Sequence, residues 1–205
     1  MTIQSWFPTF IYETALQKTG GADFAHELEG ECQKIREHDV AGQKWSKTNY
    51  PGGYTSYGSL CRLHKMSSTF MKLEKKITRH VKRFARHLDM DLKGSRLVMT
   101  DCWVNRMSLQ AVHSLHLHPL SVLSGTYYVK TPPGSSRLRF EDPRLDKFMN
   151  APPKLPKCKP ENRQHVSYAV EPGKLILFES WLRHEVASNP TVEERISISF
   201  NYNWA

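Results

Sequence analysis

The sequence predicts an α+β fold that is mainly β, with a helical first part and a β-rich second part. Residues 1–94 carry apolar patterns of helical period, whereas from about residue 95 short β-branched and aromatic runs alternate with turn signals. Many short strands at this spacing are typical of a β-sandwich or barrel. The 205 residues suffice for one domain with a sizeable core. We therefore expect a single domain over 1–205, with helices of 1–94 packed on a β core at 95–205.

The helical part is predicted to begin with a helix and a loop. The helix runs from about Gly21 to Glu37, because Phe24, Leu28 and Ile35 supply an apolar side at helical spacing. That side is expected to pack on the β core. Residues 45–60 are rich in Gly, Ser and Tyr, so we expect an irregular loop there.

A second, clearer helix follows the loop, with Ser67 or Ser68 as its cap. Its apolar residues recur at steps of four and three and form one stripe: Met66, Phe70, Leu73, Ile77, Val81, Phe84 and Leu88. Part of the formal charge of +9 lies in the same segment, on Lys72, Lys75, Lys76, Arg79, Lys82, Arg83 and Arg86. We interpret these cations as a solvated helix face, since no aromatic residues interleave with them as base stacking would need. Nucleic acid stays open as a partner, and the basic surface favours an anionic substrate.

Eight strands are predicted in the second part of the chain. They are Arg96–Met107, Ala111–His118, Val122–Lys130, Arg137–Phe140, Val166–Val170, Lys174–Phe178, His184–Ala187 and Arg195–Trp204. Residues 144–164 hold four prolines and are expected to form a long excursion with one helical turn near Leu145–Met149. We expect Trp103, Trp181 and Trp204 to be core aromatics, with Trp181 alternatively lining an entrance.

Cysteine and apolar patterns exclude several classes of protein. No apolar run approaches the roughly 20 residues that span a bilayer, and Met1–Phe7 lacks the basic start and apolar stretch of a signal peptide. The four cysteines form no CxxC pair, which argues against a disulfide framework or a zinc ribbon: Cys32, Cys61, Cys102 and Cys158. We expect a cytoplasmic protein without a membrane partner. The oligomeric state stays open.

Three histidines point to a metal site. His116 and His118 lie two residues apart on a predicted strand, so their side chains project from one face. His184, from a distant strand, can complete a three-point site that leaves coordination positions open on one side of the metal. Oxygen chemistry at non-haem iron needs such open positions. On a regular strand His113 would point to the opposite face, and we expect it not to be a ligand.

Arg195 is the candidate to hold an acid cosubstrate. It lies eleven residues after His184, at the start of an apolar strand. The planar fork of donors on a guanidinium matches a carboxylate. Ser197 lies two residues on, on the same strand face, and can donate its hydroxyl to the same carboxylate.

Several segments resemble a known family. They are His116-x-His118-Pro119, Leu123–Val129, Leu138-x-Phe140-x-Asp142-Pro143-Arg144, Pro172–Phe178, Ser180–His184 and Arg195–Asn201. Over roughly residues 96–204 the chain resembles the uncharacterised bacterial branch of the 2-oxoglutarate and Fe(II)-dependent oxygenases, and the loop around Gly52–Tyr54 is similar to that branch as well. The resemblance implies a double-stranded β-helix, or jelly roll, with Fe(II) held at the open end of the barrel.

The resemblance also implies an activity and residue roles. It implies a dioxygenase that uses O2, converts 2-oxoglutarate to succinate and CO2, and hydroxylates an unidentified second substrate. Arg195 would pair with the distal carboxylate of 2-oxoglutarate. Tyr128 matches a position at which relatives place a phenol on the same group, and Asn105 matches a position that lines the pocket.

One motif departs from the superfamily pattern. The usual first motif is His-x-Asp or His-x-Glu, and here His118 stands in the place of the carboxylate. Three neutral imidazoles leave the metal centre one unit more positive, and they also suit zinc, copper and nickel. Glu179 and Glu185 flank His184 and could supply a carboxylate, although strand neighbours of His184 face away from it.

Two other functions are compatible with the same residues. The first is a cupin-like oxygenase with three histidines and no 2-oxoglutarate, in which Arg195 would hold the substrate. The second is a jelly-roll module that binds a metal and an organic acid without turnover. Succinate formation distinguishes the first alternative, and a lack of oxygen consumption distinguishes the second.

Overall fold

Ten strands build the core of the protein, which a computed structural model describes over residues 1–16 and 21–205. In chain order the strands are β1 Ile11–Ala15, β2 Gly53–Thr55, β3 Leu97–Met107, β4 His113–His116, β5 Leu123–Lys130, β6 Leu138–Glu141, β7 His165–Tyr168, β8 Lys174–Glu179, β9 His184–Val186 and β10 Arg195–Trp204. The eight predicted strands are all present, with ends that differ by up to two residues.

The strands form two antiparallel sheets. The large sheet has the order β1-β8-β5-β10-β3-β2, and the small sheet has the order β4-β9-β6-β7. Apolar residues of the two sheets meet in one buried cluster, in which Phe140 and Val186 of the small sheet join Ile176 and Phe178 of the large sheet. Two packed antiparallel sheets of this kind agree with the sandwich or barrel that the strand pattern predicts and form the jelly roll that the resemblance implies.

The central strand β10 separates two environments. Ile196, Ile198, Phe200 and Tyr202 belong to a cluster that includes helical residues. Because side chains alternate along a strand, the intervening residues face the small sheet. These inward residues are polar, and all four are buried: Arg195, Ser197, Ser199 and Asn201. Buried polar residues need partners, so this stripe is where a ligand site is expected.

Four helices precede the long strands: α1 Gly21–His38, α2 Val40–Asn49, α3 Leu63–Met66 and α4 Ser68–His87. The stripe of α4 is buried as predicted, from Phe70 to Phe84. Ser67 caps α4 by accepting a hydrogen bond from the Thr69 amide. Met66 does not join the stripe; it ends α3 and is 61% exposed. None of the helices that the structure describes is long and apolar enough to cross a membrane.

Part of the predicted loop at 45–60 is helical, which corrects that prediction. Helix α2 continues to Asn49. Its polar sequence gives no apolar period, and its stability comes from Asp39, whose carboxylate accepts from the Gly42 amide at the helix start. The same carboxylate accepts from the hydroxyls of Tyr54 and Ser59, which fixes the following segment.

The structure differs from the sequence prediction in two further features: the burial of the tryptophans and an additional strand. Trp103 is buried as expected, but Trp181 and Trp204 are 46% and 55% exposed and are therefore not core residues. Strand β1 was not predicted from the sequence. It pairs with β8 through register partners such as Ile11 and Phe178, so its stability comes from a partner more than 160 residues away along the chain.

A methyl group at Gly125 is expected to destabilise the fold. A Cβ there would lie 2.6 Å from the carbonyl oxygen of Ile176 and 2.6 Å from the Phe200 ring, in the middle of the large sheet. Gly125→Ala should lower the free energy of unfolding by about 1–3 kcal/mol, as overpacking does. Urea unfolding measures this change. Gly30→Ala is the control, since nothing lies within 4 Å of its Cβ; an unchanged Gly125→Ala midpoint would contradict the prediction.

Candidate metal centre and acid pocket

Three histidine side chains converge at one end of the small sheet. His116 ends β4 and faces His184, the first residue of β9, in the strand register. His118 follows two residues later, and its backbone amide donates to the Ser180 carbonyl. One nitrogen from each of the three rings lies within 4.8 Å of the others. The structure thus brings together the three residues that the sequence predicts as metal ligands.

Each of the three rings is oriented by a hydrogen bond at Nδ1. His116 Nδ1 lies 2.7 Å from the Ser114 carbonyl oxygen, and His184 Nδ1 lies 2.9 Å from that of Leu182. A carbonyl oxygen only accepts, so both Nδ1 atoms carry the proton and donate it. Each Nε2 therefore keeps a free lone pair, the form that binds a metal.

His118 is held by a network of side chains. Its Nδ1 lies 2.8 Å from Asn201 Oδ1 and 2.8 Å from Ser124 Oγ. Ser124 in turn contacts Ser180 Oγ at 2.7 Å. Sequence reasoning gave these three residues no role, although Asn201 has the same parity as Arg195 and Ser197 on β10, which was the available signal.

Burial keeps the three imidazoles neutral. It lowers the pKa of His118 to about 4, with a smaller effect of the same sign from His116. Burial is also the main cause of the lowered pKa values of His116 and His184. Neutral imidazole is the ligand form, so no proton needs to leave before a metal binds near neutral pH. In the described part of the chain no carboxylate joins the group, and the neighbouring Glu185 pairs with Arg139 instead.

The position of His113 corrects the parity prediction. The register changes by one residue between His113, which pairs with Val186, and His116, which pairs with His184. Such a bulge inserts one residue into β4 and turns His113 to the same side as His116. The rings of His113 and His116 stack with centroids 5.3 Å apart, and the Tyr50 ring lies 5.2 Å from the His113 ring. His113 is outside the group of three converging nitrogens.

Arg195 forms a buried positive charge beside this site. It is 2% exposed, its Nη1 lies 3.2 Å from Met107 Sδ, and its guanidinium lies over the Tyr128 ring at 5.0 Å. Among the residues that the structure describes, no acidic side chain pairs with Arg195, and its Nε has no hydrogen-bond partner. A buried unpaired cation is costly, so this arrangement fits an anionic ligand.

The other predicted acid-binding residues lie around Arg195. Ser197 is paired in register with Asn105 on one side and with Tyr128 on the other. Asn105 donates to Ser199 Oγ at 3.0 Å, while its Oδ1 has no partner. Within the described residues the Tyr128 hydroxyl has no hydrogen-bond partner either, and burial raises the pKa of this phenol. A neutral phenol is a donor, which suits a carboxylate.

A family model described as "Putative 2OG-Fe(II) oxygenase" matches residues 101–201 of the chain. This segment contains the three histidines and all four predicted acid-binding residues. The description names Fe(II) and 2-oxoglutarate as the metal and the cosubstrate of the family. No curated protein is significantly similar to the chain in sequence.

Solved structures with the same fold extend over nearly the whole chain. A prolyl-4-hydroxylase from Pseudomonas putida is 15% identical, with a TM-score of 0.59, over 95% of this chain and 92% of that one. HygX from Streptomyces hygroscopicus, solved with nickel, 2-oxoglutarate and hygromycin B, is 13% identical, with a TM-score of 0.62, over 95% and 83%. The epimerase SnoN, solved with Fe3+ and α-ketoglutarate, is 12% identical, with a TM-score of 0.63, over 95% and 79%.

The structural similarities identify the jelly roll, and the family model covers the strands that carry the site. The donor set agrees with both, since three imidazoles bind first-row metals and an unpaired buried guanidinium binds an acid. The segment over residues 101–201 is thus similar to the 2-oxoglutarate and Fe(II)-dependent oxygenases, a family of oxidoreductases, and the chain has the jelly-roll fold of solved members.

Proposed function

We propose that this protein is an Fe(II) and 2-oxoglutarate-dependent dioxygenase that hydroxylates a second substrate, with succinate and CO2 as co-products. The observation that carries the proposal is the set of three anchored histidines beside an unpaired buried arginine. The histidines offer three Nε2 atoms that lie close together, and the arginine offers a buried cation that no acidic side chain among the described residues pairs with. A metal and an anionic cosubstrate satisfy both requirements together.

In this proposal His116, His118 and His184 hold the metal. Their Nδ1 bonds fix the rings, so the three Nε2 atoms form a preorganised cap. The bound Fe(II) would supply the oxygen chemistry, while the chain supplies orientation and leaves coordination positions open. The single side-chain change from a carboxylate to His118 makes the site one unit more positive than the usual triad of the family.

Arg195 would bind the distal carboxylate of 2-oxoglutarate through its planar fork, with Tyr128 and Ser197 beside it and Asn105 lining the pocket. The guanidinium is held in place by Met107 and the Tyr128 ring, which restricts its rotation before the acid arrives. The surrounding residues are buried, so the ion pair forms away from bulk water and is correspondingly strong.

The prime substrate is proposed to be anionic. Most of the cations of α4 lie on its exposed face, whereas the apolar stripe faces the sheet. A positive surface raises the local concentration of anions and speeds their association. We also propose a cytoplasmic location, which the four free cysteines support.

The proposal predicts succinate formation from 2-oxoglutarate. We expect the Fe(II)-loaded protein to bind 2-oxoglutarate and, in air, to release succinate slowly even before its prime substrate is known, because coordination positions remain open to O2. Chromatographic measurement of succinate checks this, with metal-free protein as the control. Oxygen consumption without succinate would instead favour the three-histidine oxygenase that uses no 2-oxoglutarate, and absence of both would favour a binding module.

A further inference from the structure

Unpaired buried polar atoms are concentrated around Arg195. In the part of the chain that the structure describes, eight buried side-chain nitrogen or oxygen atoms have no hydrogen-bond partner. Four of the eight belong to one neighbourhood: Tyr50 hydroxyl, Asn105 Oδ1, Tyr128 hydroxyl and Arg195 Nε. The sequence assigns a role to every member of this group except Tyr50. Its hydroxyl therefore needs an explanation of its own.

Tyr50 is held in place by contacts within the segment that follows α2. Its backbone amide donates to the Ser46 carbonyl at the end of the helix. Its ring lies where a Cβ on Gly53 would come within 2.4 Å of a ring carbon, so a glycine is needed at that position. The ring also packs near His113, with centroids 5.2 Å apart. Contacts with Ser46, Gly53 and His113 thus fix the position of the Tyr50 ring.

These contacts place Tyr50 in the acid pocket, that is, among the buried residues around Arg195. Tyr50 shares a buried cluster with Met107 and Tyr128, the two residues that contact the Arg195 guanidinium. Burial raises the pKa of the Tyr50 phenol to about 12, and the nearby charge of Arg195 acts in the opposite direction. The phenol is therefore a neutral donor at physiological pH. A phenylalanine would fill the same space without burying an unpaired hydroxyl, so the hydroxyl points to a ligand.

We propose that Tyr50 donates a hydrogen bond to the distal carboxylate of the acid that Arg195 holds. A carboxylate has about four lone-pair positions. The two donors of the arginine fork and the hydroxyls of Tyr128 and Tyr50 fill these four, so Ser197 would line the pocket without donating to this carboxylate. The inference rests on the proposed function, because it needs a diacid in this pocket. It adds that the helical part of the chain contributes directly to cosubstrate binding.

The test is Tyr50→Phe, which removes only the hydroxyl and keeps the ring on Gly53 and His113. Two probes are titrated calorimetrically into the anaerobic Fe(II) protein: 2-oxoglutarate, and oxalate, which can bind the metal but has no distal carboxylate. We expect 2-oxoglutarate affinity to fall about tenfold or more, as for a lost hydrogen bond to a charged group, while oxalate affinity stays unchanged. Tyr127→Phe is the control. Tyr127 lies on β5 next to Tyr128, but it packs in the other buried cluster, together with the helical residues.

The outcomes separate the two proposals. If the wild-type protein binds oxalate but not 2-oxoglutarate, the proposed function fails and this inference fails with it. If the wild type binds 2-oxoglutarate and Tyr50→Phe binds it equally well, only the inference is overturned. Equal weakening for both probes would overturn it too, because Tyr50 would then act through packing around the site rather than on the distal carboxylate.

Discussion

Replacing His184 with alanine is expected to abolish stoichiometric Fe(II) binding. The two remaining imidazoles come from His116, the last residue of β4, and from His118, two residues later, and cannot form a three-point cap. Removing an outer partner of a ligand already costs roughly 10- to 100-fold in metal affinity, and we expect loss of a ligand to cost more. Metal content after anaerobic Fe(II) loading and desalting measures the effect.

His113→Ala is the matched control for that experiment. His113 is also a half-buried imidazole next to His116, but it is outside the group of three converging nitrogens. We expect this variant to retain its iron. Full iron content in His184→Ala, or loss of iron in His113→Ala to the same degree, would refute the assignment of ligands. Zinc or nickel in the purified wild type would not, since imidazoles bind those ions as well.

Arg195→Ala is expected to weaken 2-oxoglutarate binding without releasing the metal. The variant would leave a carboxylate in a buried pocket without its cation, which costs roughly 2–5 kcal/mol by analogy with truncated buried charge pairs. The affinity should therefore fall at least tenfold, while Fe(II) content stays at the wild-type level because Arg195 is not among the converging ligands. Titration of the anaerobic Fe(II) protein, followed by its metal-to-ligand absorption band, measures both quantities.

Arg195→Lys distinguishes charge from geometry. Lysine keeps the positive charge but offers a point charge instead of a fork of donors. We expect an affinity between those of the wild type and Arg195→Ala. Equal affinity in all three proteins would mean that Arg195 is structural, and the three-histidine oxygenase without 2-oxoglutarate would become the better explanation of the site.

The fold was predictable where local pattern and tertiary environment agree. Helix α4 has a complete apolar stripe, and β10 is reproduced with its predicted bounds, Arg195–Trp204. Helix α2 was missed because its contacts depend on Asp39 and Tyr54 and not on an apolar period. Strand β1 was missed because its pairing with β8 is wholly non-local. Exposure of Trp181 shows that a large aromatic side chain does not by itself indicate the core.

The site was predictable to the extent that it follows strand parity. Parity places Ser197 beside Arg195 on β10, as the structure has them. His116 and His118 also converge as predicted, although β4 ends at His116 and the backbone amide of His118 is held by the Ser180 carbonyl. The same rule failed for His113, because a bulge adds a residue that no single-sequence pattern indicates. The sequence did not indicate Tyr50 for another reason. Tyr50 follows helix α2, and the alternation of side chains along the strands says nothing about a residue in that segment.

The unpaired guanidinium of Arg195 has a consequence for the lifetime of the protein. A buried charge without a counterion makes the folded state less stable than it would be with one, and an acid that binds only the folded state restores that stability. At a hundredfold excess over its dissociation constant, such a ligand adds about 2.7 kcal/mol. A change of 1–2 kcal/mol can alter cellular abundance several-fold, through triage by chaperones and proteases. The amount of this protein in a cell would then follow the supply of its diacid, independently of any effect of the diacid on catalysis.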